Sequence, residues 1–371
     1  MKIVFCDNRL GGLLGFRSDI IKHYIQSGAE VTIIAPIPKT EWDKVGKKIE
    51  GCKIIAIEMD GYNKNPINDI KLLIAYYKIY RNLKPDIVFN YTIKPNIYSS
   101  IAAKMCGAKV VCMMAGLGYV FFGKNIVQRI GKILYKLGLR CADRVLLLND
   151  MNLHHVIEHD IIPKRKAVLL KGGEGLNLNE YRYIPPTFSE PCRFLMVARV
   201  MYDKGYHEFV EAAKVIKRSH PDVIFELLGP IDNGPTMVHE DIIHHDEAEG
   251  SIQYLGVTND IVSVIGRDSV VMILPSTYGE GLNRSLMEGC SIGRPIITTD
   301  IPGCRETVVE GKNGYLVEPK SVQSLVYKIE LFLDLSNKEK AAMGEYSRKI
   351  AEERFDVKDV INEYDKLVKR E

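Results

Sequence analysis

The chain has 371 residues, 46% hydrophobic and 26% charged, with 30 Gly, 16 Pro and no internal repeat or low-complexity tract. That excludes disordered, collagen-like and coiled-coil classes and points to two packed domains, since a single core stops growing near about 250–300 residues. The net charge of +3 conceals a division, because residues 1–190 hold 28 Lys and Arg against 17 acids while residues 191–371 hold 22 against 30. The two halves face different partners.

Short apolar runs alternate with amphipathic stretches, the pattern of βα units around a parallel sheet. The first half predicts strands at 2–7, 31–36, 53–58, 86–91, 110–115, 144–149 and 167–172, with helices between them. Its start, MKIVFC, lacks the basic, apolar and small-residue regions of an export signal, and the apolar stretch Val110 to Phe122 is shorter than the roughly 20 residues of a spanning helix. A cytoplasmic location is expected. From Ile87 to Ala142 there is no acid, yet eight bases occur: Lys94, Lys104, Lys109, Lys124, Arg129, Lys132, Lys136 and Arg140. Such a surface attracts nucleic acid, an anionic membrane or a phosphorylated substrate. Within it, Gly123 to Arg140 places Ile126, Ile130, Ile133, Leu134 and Leu137 on one helical face, which fits either a membrane-interfacial helix or an ordinary core-facing one.

Tyr183 to Cys192 contains three prolines and no periodicity, and reads as the linker between domains 1–187 and 188–354. The second half predicts strands at 193–198, 223–229, 252–256, 270–276, 295–300 and 314–318, then a charged helical tail from Lys338 to Glu371. Two doubly wound α/β domains facing each other across a cleft would bind ligands beyond the carboxyl ends of their strands. The eight Cys form no C-x-x-C pair and suit reduced thiols. His154, His155 and His159, and His239, His244, His245 and Asp246, are too loosely spaced to predict a metal.

Three loops after strands carry candidate chemistry. In DNRLGGLLGFR, Gly11 and Gly12 lead into a helix, where backbone amides can meet a phosphate. The spacing is not G-x-G-x-x-G, and the second strand ends at Ala35-Pro36 without an acid for a dinucleotide ribose. In LPSTYGEGLNRSLMEGC, Glu280 precedes a helix start and Glu288 lies eight residues on, about 12 Å if all helical. Two such acids can hold different hydroxyls of one extended ligand while helix-start amides accept its phosphate. In MVARVMYDKGYHEF, Arg199 and Lys204 offer a bidentate cation and a point charge, as a diphosphate needs. No D-x-D for a divalent cation is present.

Glu280 and Glu288 in E-x7-E spacing, Arg199 with Lys204-Gly205, Gly11-Gly12, and PGCRETVVEGKNGYLV from Pro302 to Val317 together resemble the retaining glycosyltransferases of family 4 over nearly the whole chain. NYTIKPNIYSSIAAK and GLGYVF further resemble a bacterial subgroup that extends lipid-linked oligosaccharides for capsule, O-antigen or glycoprotein glycans. The resemblance implies the GT-B fold, a UDP-sugar as co-substrate without a further cofactor or metal, and no nucleic-acid partner. It implies that Glu280 holds donor-sugar hydroxyls, Glu288 the ribose, and Arg199 and Lys204 the diphosphate. The Gly281, Leu282 and Asn283 segment would line sugar and phosphate, with uracil near Gly256 and Val257. On the acceptor side Lys94, Asn96, Gly116, Arg129, Lys132 and Lys136 would meet a polyprenyl-diphosphate saccharide at an anionic membrane surface. The implied catalytic set is Arg199, Lys204 and Glu280, and the tail 355–371 would pack back on the first domain. One departure is that many relatives carry a His where this chain has Met114-Ala115-Gly116. A small-acceptor transferase, a UDP-sugar epimerase of the same fold and a non-catalytic UDP-sugar-binding protein are the alternative readings.

Overall fold

The computed structural model describes residues 1–37, 49–59, 65–116, 126–189, 191–231, 236–279 and 281–369. All thirteen expected strands form. The first unit, Met1–Gly175 with Val357–Glu371, contains β1 (Lys2–Cys6), β2 (Glu30–Ala35), β3 (Lys53–Ala56), β4 (Ile87–Tyr91), β5 (Lys109–Met114), β6 (Arg144–Leu147) and β7 (Ala167–Leu169). They pair in parallel in the order β3-β2-β1-β4-β5-β6-β7. Helices α1 (Leu10–Phe16) and α2 (Ser18–Gln26) cover one face; α3 (Pro66–Leu83), a π-turn at Pro95–Ser99 continuing into α4 (Ser100–Met105), α5 (Ile126–Cys141) and α6 (Asp150–Glu158) cover the other. Strands buried on both faces read as unbroken apolar runs, which is why each is visible in the sequence.

The second unit, Leu176–Asp356, contains β8 (Arg193–Val197), α7 (Tyr206–Ser219), β9 (Ile224–Leu228), α8 (Glu240–Ala248), β10 (Gln253–Tyr254), α9 (Ile261–Ile265), β11 (Val270–Leu274), α10 (Arg284–Ile292), β12 (Ile296–Thr299), β13 (Gly314–Val317), α11 (Val322–Leu333) and α12 (Asn337–Arg354). Its parallel sheet has the order β10-β9-β8-β11-β12-β13. In each sheet the chain winds outward in one direction from the first strand and then reverses, so the switch points lie between β1 and β4 and between β8 and β11, at their carboxyl ends.

The division between units falls at Gly175/Leu176, not at the proline-rich 183–192 segment. That segment is a strap on the second unit. Ile184 N–H donates to Ile292 O at 3.1 Å, its carbonyl accepts from Arg294 Nη1 at 2.9 Å, and Ser269 N–H donates to Thr187 O at 3.0 Å. The prolines fix an extended path whose polar backbone is satisfied by one domain. The charged tail breaks after α12 at Phe355, whose carbonyl accepts Leu176 N–H at 2.7 Å. Helix α13 (Val357–Lys369) then buries Val360, Tyr364 and Leu367 in the first core.

Candidate donor and acceptor sites

In the second unit the loops after β8 and β11 are tied into one rim at the switch point. Strand β8 delivers Arg199, and a 3-10 turn at Tyr202–Lys204 then places Lys204 immediately before Gly205. Gly205 has φ +86°, and a Cβ there would lie 2.1 Å from the Pro275 carbonyl oxygen. Only glycine permits that turn against the end of β11. The Asp203 carbonyl accepts Thr277 N–H at 2.9 Å and Ser276 Oγ–H at 3.2 Å, while the Asp203 carboxylate accepts from Thr236 Oγ1 at 3.0 Å. Arg199 and Lys204 are therefore carried, half-buried, on a loop braced by neighbouring strand ends.

Asn283 caps α10, its side-chain oxygen accepting Leu286 N–H at 3.1 Å. Its own N–H donates to the Gly303 carbonyl at 2.7 Å in the turn after β12. That amide, expected to line sugar and phosphate, holds the loop instead. Glu280 lies outside the described residues; Gly281 and Leu282 are half-buried at the rim. Glu288 is 8% exposed, and its carboxylate accepts from Arg284 Nε at 3.1 Å one turn earlier on α10. Burial raises the Glu288 pKa against the lowering pull of Arg284, and Glu288 in turn keeps the buried Arg284 guanidinium firmly protonated. Tyr181 stacks its ring against Arg284 at 5.4 Å and accepts from Nη2 at 3.4 Å. Arg284 and Tyr181 were not anticipated. The i,i+4 spacing of Arg284 and Glu288 was the available signal.

Two strands further along the same edge, Gly256 takes φ +68° and its carbonyl accepts Gly229 N–H at 2.8 Å. Val257 beside it is 68% exposed.

In the first unit the glycine loop differs from the expectation. Gly11 and Gly12 fall inside the first turn of α1, and a Cβ on Gly12 would lie 2.5 Å from Asp7 Oδ2. Buried Arg17 donates to the Gly12 carbonyl at 2.9 Å, pairs with Asp7 at 3.3 Å and Glu174 at 2.8 Å, and lies 4.2 Å over the Tyr91 ring. An acid thus already occupies the helix start, where a phosphate was expected, and desolvation holds the Asp7 pKa up. The sequence reading missed this acid–arginine–acid set because Glu174 is 157 residues from Arg17.

Of the acceptor candidates, Lys94 is paired to Asp69 at 2.9 Å, with Tyr98 donating to the other Asp69 oxygen at 2.7 Å. Asn96 is 0% exposed. Its amide donates to Met113 O at 2.8 Å and Tyr135 Oη at 3.0 Å, bracing β5 and α5, so its place is in the core and not at a ligand. Gly116 is half-buried after β5; Arg129 is exposed on α5 and Lys132 and Lys136 are half-exposed there. Among the described residues no helix is long and apolar enough to cross a membrane, and no cluster of three His, Cys, Asp or Glu side chains could hold a metal ion.

Family models match both units: "Glycosyl transferase 4-like" over residues 16–149 and "Glycosyl transferases group 1" over residues 179–350. The chain is 27% identical over 353 residues to the Campylobacter jejuni N,N'-diacetylbacillosaminyl-diphospho-undecaprenol alpha-1,3-N-acetylgalactosaminyltransferase, covering 90% of each. It is 26% identical over 283 residues to the Escherichia coli UDP-Gal:alpha-D-GlcNAc-diphosphoundecaprenol alpha-1,3-galactosyltransferase, covering 71% of this chain and 70% of that one. Among solved structures, a Rickettsia africae glycosyltransferase superposes with TM-score 0.79 at 22% identity over 100% of this chain and 98% of that one. Anabaena HepE in complex with UDP-glucose superposes with TM-score 0.80 at 18% identity over 100% of both. With two sheets of this strand order and both models matched in sequence, the chain belongs to the family 4 glycosyltransferases of the GT-B fold.

Proposed function

We propose that this glycosyltransferase moves a hexose, an N-acetylhexosamine in the first instance, from a UDP-sugar to a polyprenyl-diphosphate-linked saccharide with retention of anomeric configuration. It works peripherally at the cytoplasmic face of the cell membrane. The observation that carries the donor assignment is the braced rim: Arg199 and Lys204 project from the loop after β8, tied through Asp203 to the end of β11, with α10 and Glu288 following. The relatives named for diphospho-undecaprenol acceptors support the acceptor class.

Displacing UDP from an anomeric carbon places negative charge on the departing diphosphate. Arg199 and Lys204 stabilise that charge, a role whose loss costs about 10²–10³ in turnover at comparable sites. Glu280 and Glu288 hold hydroxyls of the sugar and ribose, with the base near Gly256 and Val257. No described side chain stands as nucleophile or base in this scheme. The leaving phosphate oxygen accepts the acceptor hydroxyl proton as the new bond forms on the same face of the sugar. The phosphate charge is met by cations, without a metal.

The test is incubation of radiolabelled UDP-sugars with a lipid-linked acceptor, with and without EDTA. Transfer that persists in EDTA and yields the retained anomer is expected. Sugar interconversion without acceptor, UDP binding without transfer, or equal transfer to water-soluble acceptors would each replace this reading. Loss of transfer in EDTA would overturn metal independence.

A further inference from the structure

Helices α3 and α5 pack on the same face of the first sheet, on either side of the 95–105 segment. Helix α3 buries Leu72, Tyr76 and Tyr80. Helix α5 buries Tyr135 and Leu139 and presses Gly138 so tightly on the chain beneath that a Cβ there would lie 2.3 Å from the Asn96 carbonyl oxygen. Both helices then have a second apolar stripe pointing away from the core. Ile67, Ile70 and Ile74 on α3, and Ile130, Ile133 and Leu137 on α5, are each between 45% and 62% exposed.

The two stripes share i, i+3, i+7 spacing, which is a single helical face. They also share a position. Helices between parallel strands run opposite to them, so the first turns of α3 and α5 lie toward the carboxyl ends of the strands. Ile93, 38% exposed just after β4, lies at that same edge. Single exposed aliphatic side chains are ordinary, but six in two matched rows are not.

The charge along this stretch is mostly positive. From Asn65 to Ala142 the sequence holds twelve Lys and Arg and two acids, Asp69 and Asp86. Asp69 is engaged by Lys94 and Tyr98, and Asp86 accepts the main-chain N–H of Lys2 at 2.6 Å. Lys71, Lys78 and Arg81 on α3 and Arg129 and Arg140 on α5 are exposed beside the stripes. An apolar row flanked by cations matches the interface of an anionic bilayer, where aliphatic side chains enter below the headgroups and cations meet the phosphates.

We propose that the first unit docks on anionic membrane through a two-helix face, with Ile67, Ile70, Ile74, Ile130, Ile133 and Leu137 inserted into the interface. This deepens the peripheral-membrane reading above and rests on it for its purpose, though not for its geometry. The test is co-sedimentation of the full chain with phosphatidylcholine vesicles, with and without phosphatidylglycerol, in the absence of donor and acceptor. The wild-type chain is expected to pellet with the anionic vesicles and to be released by salt. Ile70→Asp and Ile133→Asp should each lower partitioning at least tenfold, while Val215→Asp, an exposed control on α7, leaves it unchanged. Far-ultraviolet circular dichroism and UDP affinity should match the wild type in all three, separating docking from folding. Stripe variants that pellet like the wild type overturn this face while leaving membrane association standing. A wild-type chain that ignores both vesicles overturns docking while the transfer assay still decides the acceptor. A change of sedimentation coefficient in the stripe variants without lipid would assign the face to a second copy and refute the proposal.

Discussion

Replacing Arg284 by Ala leaves the Glu288 carboxylate buried without the guanidinium it accepts from at 3.1 Å. At that separation two unit charges attract by about 5 kcal/mol at an effective dielectric of about 20. The side chains are 19% and 10% exposed, so some water offsets the loss. A net cost of about 3 kcal/mol follows, at the low end of what removing one partner of a buried pair costs. For a domain of about 180 residues that is a fall of roughly 6–12 °C in the calorimetric transition of the second unit. Glu288→Gln should cost less, about 1 kcal/mol, because the amide oxygen still accepts from Arg284. The double variant should then be more stable than the two single losses sum to, by at least about 1 kcal/mol. The deficit must also depend on pH. Burial already raises the Glu288 pKa, and without Arg284 it rises further. The uncompensated charge is present above that folded-state pKa and disappears as pH falls through it, so the deficit shrinks from about pH 8 to about pH 5. Scanning calorimetry of the wild type and the three variants at both pH values decides it. An equal deficit at both, or no coupling in the cycle, would show that Arg284 acts by packing on Tyr181 and not as the counter-ion of Glu288.

Other expectations follow from single contacts. Arg199→Ala or Lys204→Ala should lower kcat/KM by about 10²–10³ with the melting temperature within a degree or two, measured by steady-state transfer and calorimetry; near-normal turnover in both would remove the diphosphate clamp. Gly205→Ala forces a Cβ onto the Pro275 carbonyl in a left-handed backbone that alone costs about 1–2 kcal/mol, so urea denaturation should show the loss together with weakened UDP binding. Gly11→Ala meets nothing within 4 Å and sits in a helix, so it should stabilise by about 0.5–1 kcal/mol, whereas Gly12→Ala, aimed at Asp7, should destabilise. A loss of donor affinity in Gly11→Ala would restore the glycine pair as a phosphate site.

What the sequence disclosed and what it hid divide along the range of the interactions. Strand positions came through because each parallel strand is a run of apolar residues, and even the errors are local. The expected carboxyl ends of β9 and β11 run past Leu228 and Leu274 into Gly229 and Pro275, where the backbone leaves the ladder. The rim residues Arg199, Lys204, Asn283 and Glu288 were legible for the same reason, being fixed by distance from a strand end. The proline strap was misread as a linker because its partners, Ile292 and Arg294, lie more than a hundred residues away. The resemblance placed Lys94 and Asn96 at the acceptor, but it could not show that Lys94 pairs with Asp69 on α3 or that buried Asn96 donates to Met113 on β5.

The two sheets share one strand order, yet use the position after their first strand in opposite ways. After β8 the loop turns at Gly205 and leaves Arg199 and Lys204 half-buried at the switch point with β11. After β1, Asp7 turns back onto Gly12 and is tied by Arg17 to Glu174, while Asn8 N–H donates to Thr92 Oγ1 at 3.3 Å across the switch point with β4. A phosphate brought to the Gly12 amide would meet the Asp7 carboxylate, and the like-charge cost there would exceed the fraction of a kilocalorie that one short helix terminus returns. The same βα geometry that leaves Arg199 and Lys204 half-buried at the switch point of the second unit therefore makes this corner of the first unit a closed brace of Asp7, Arg17 and Glu174.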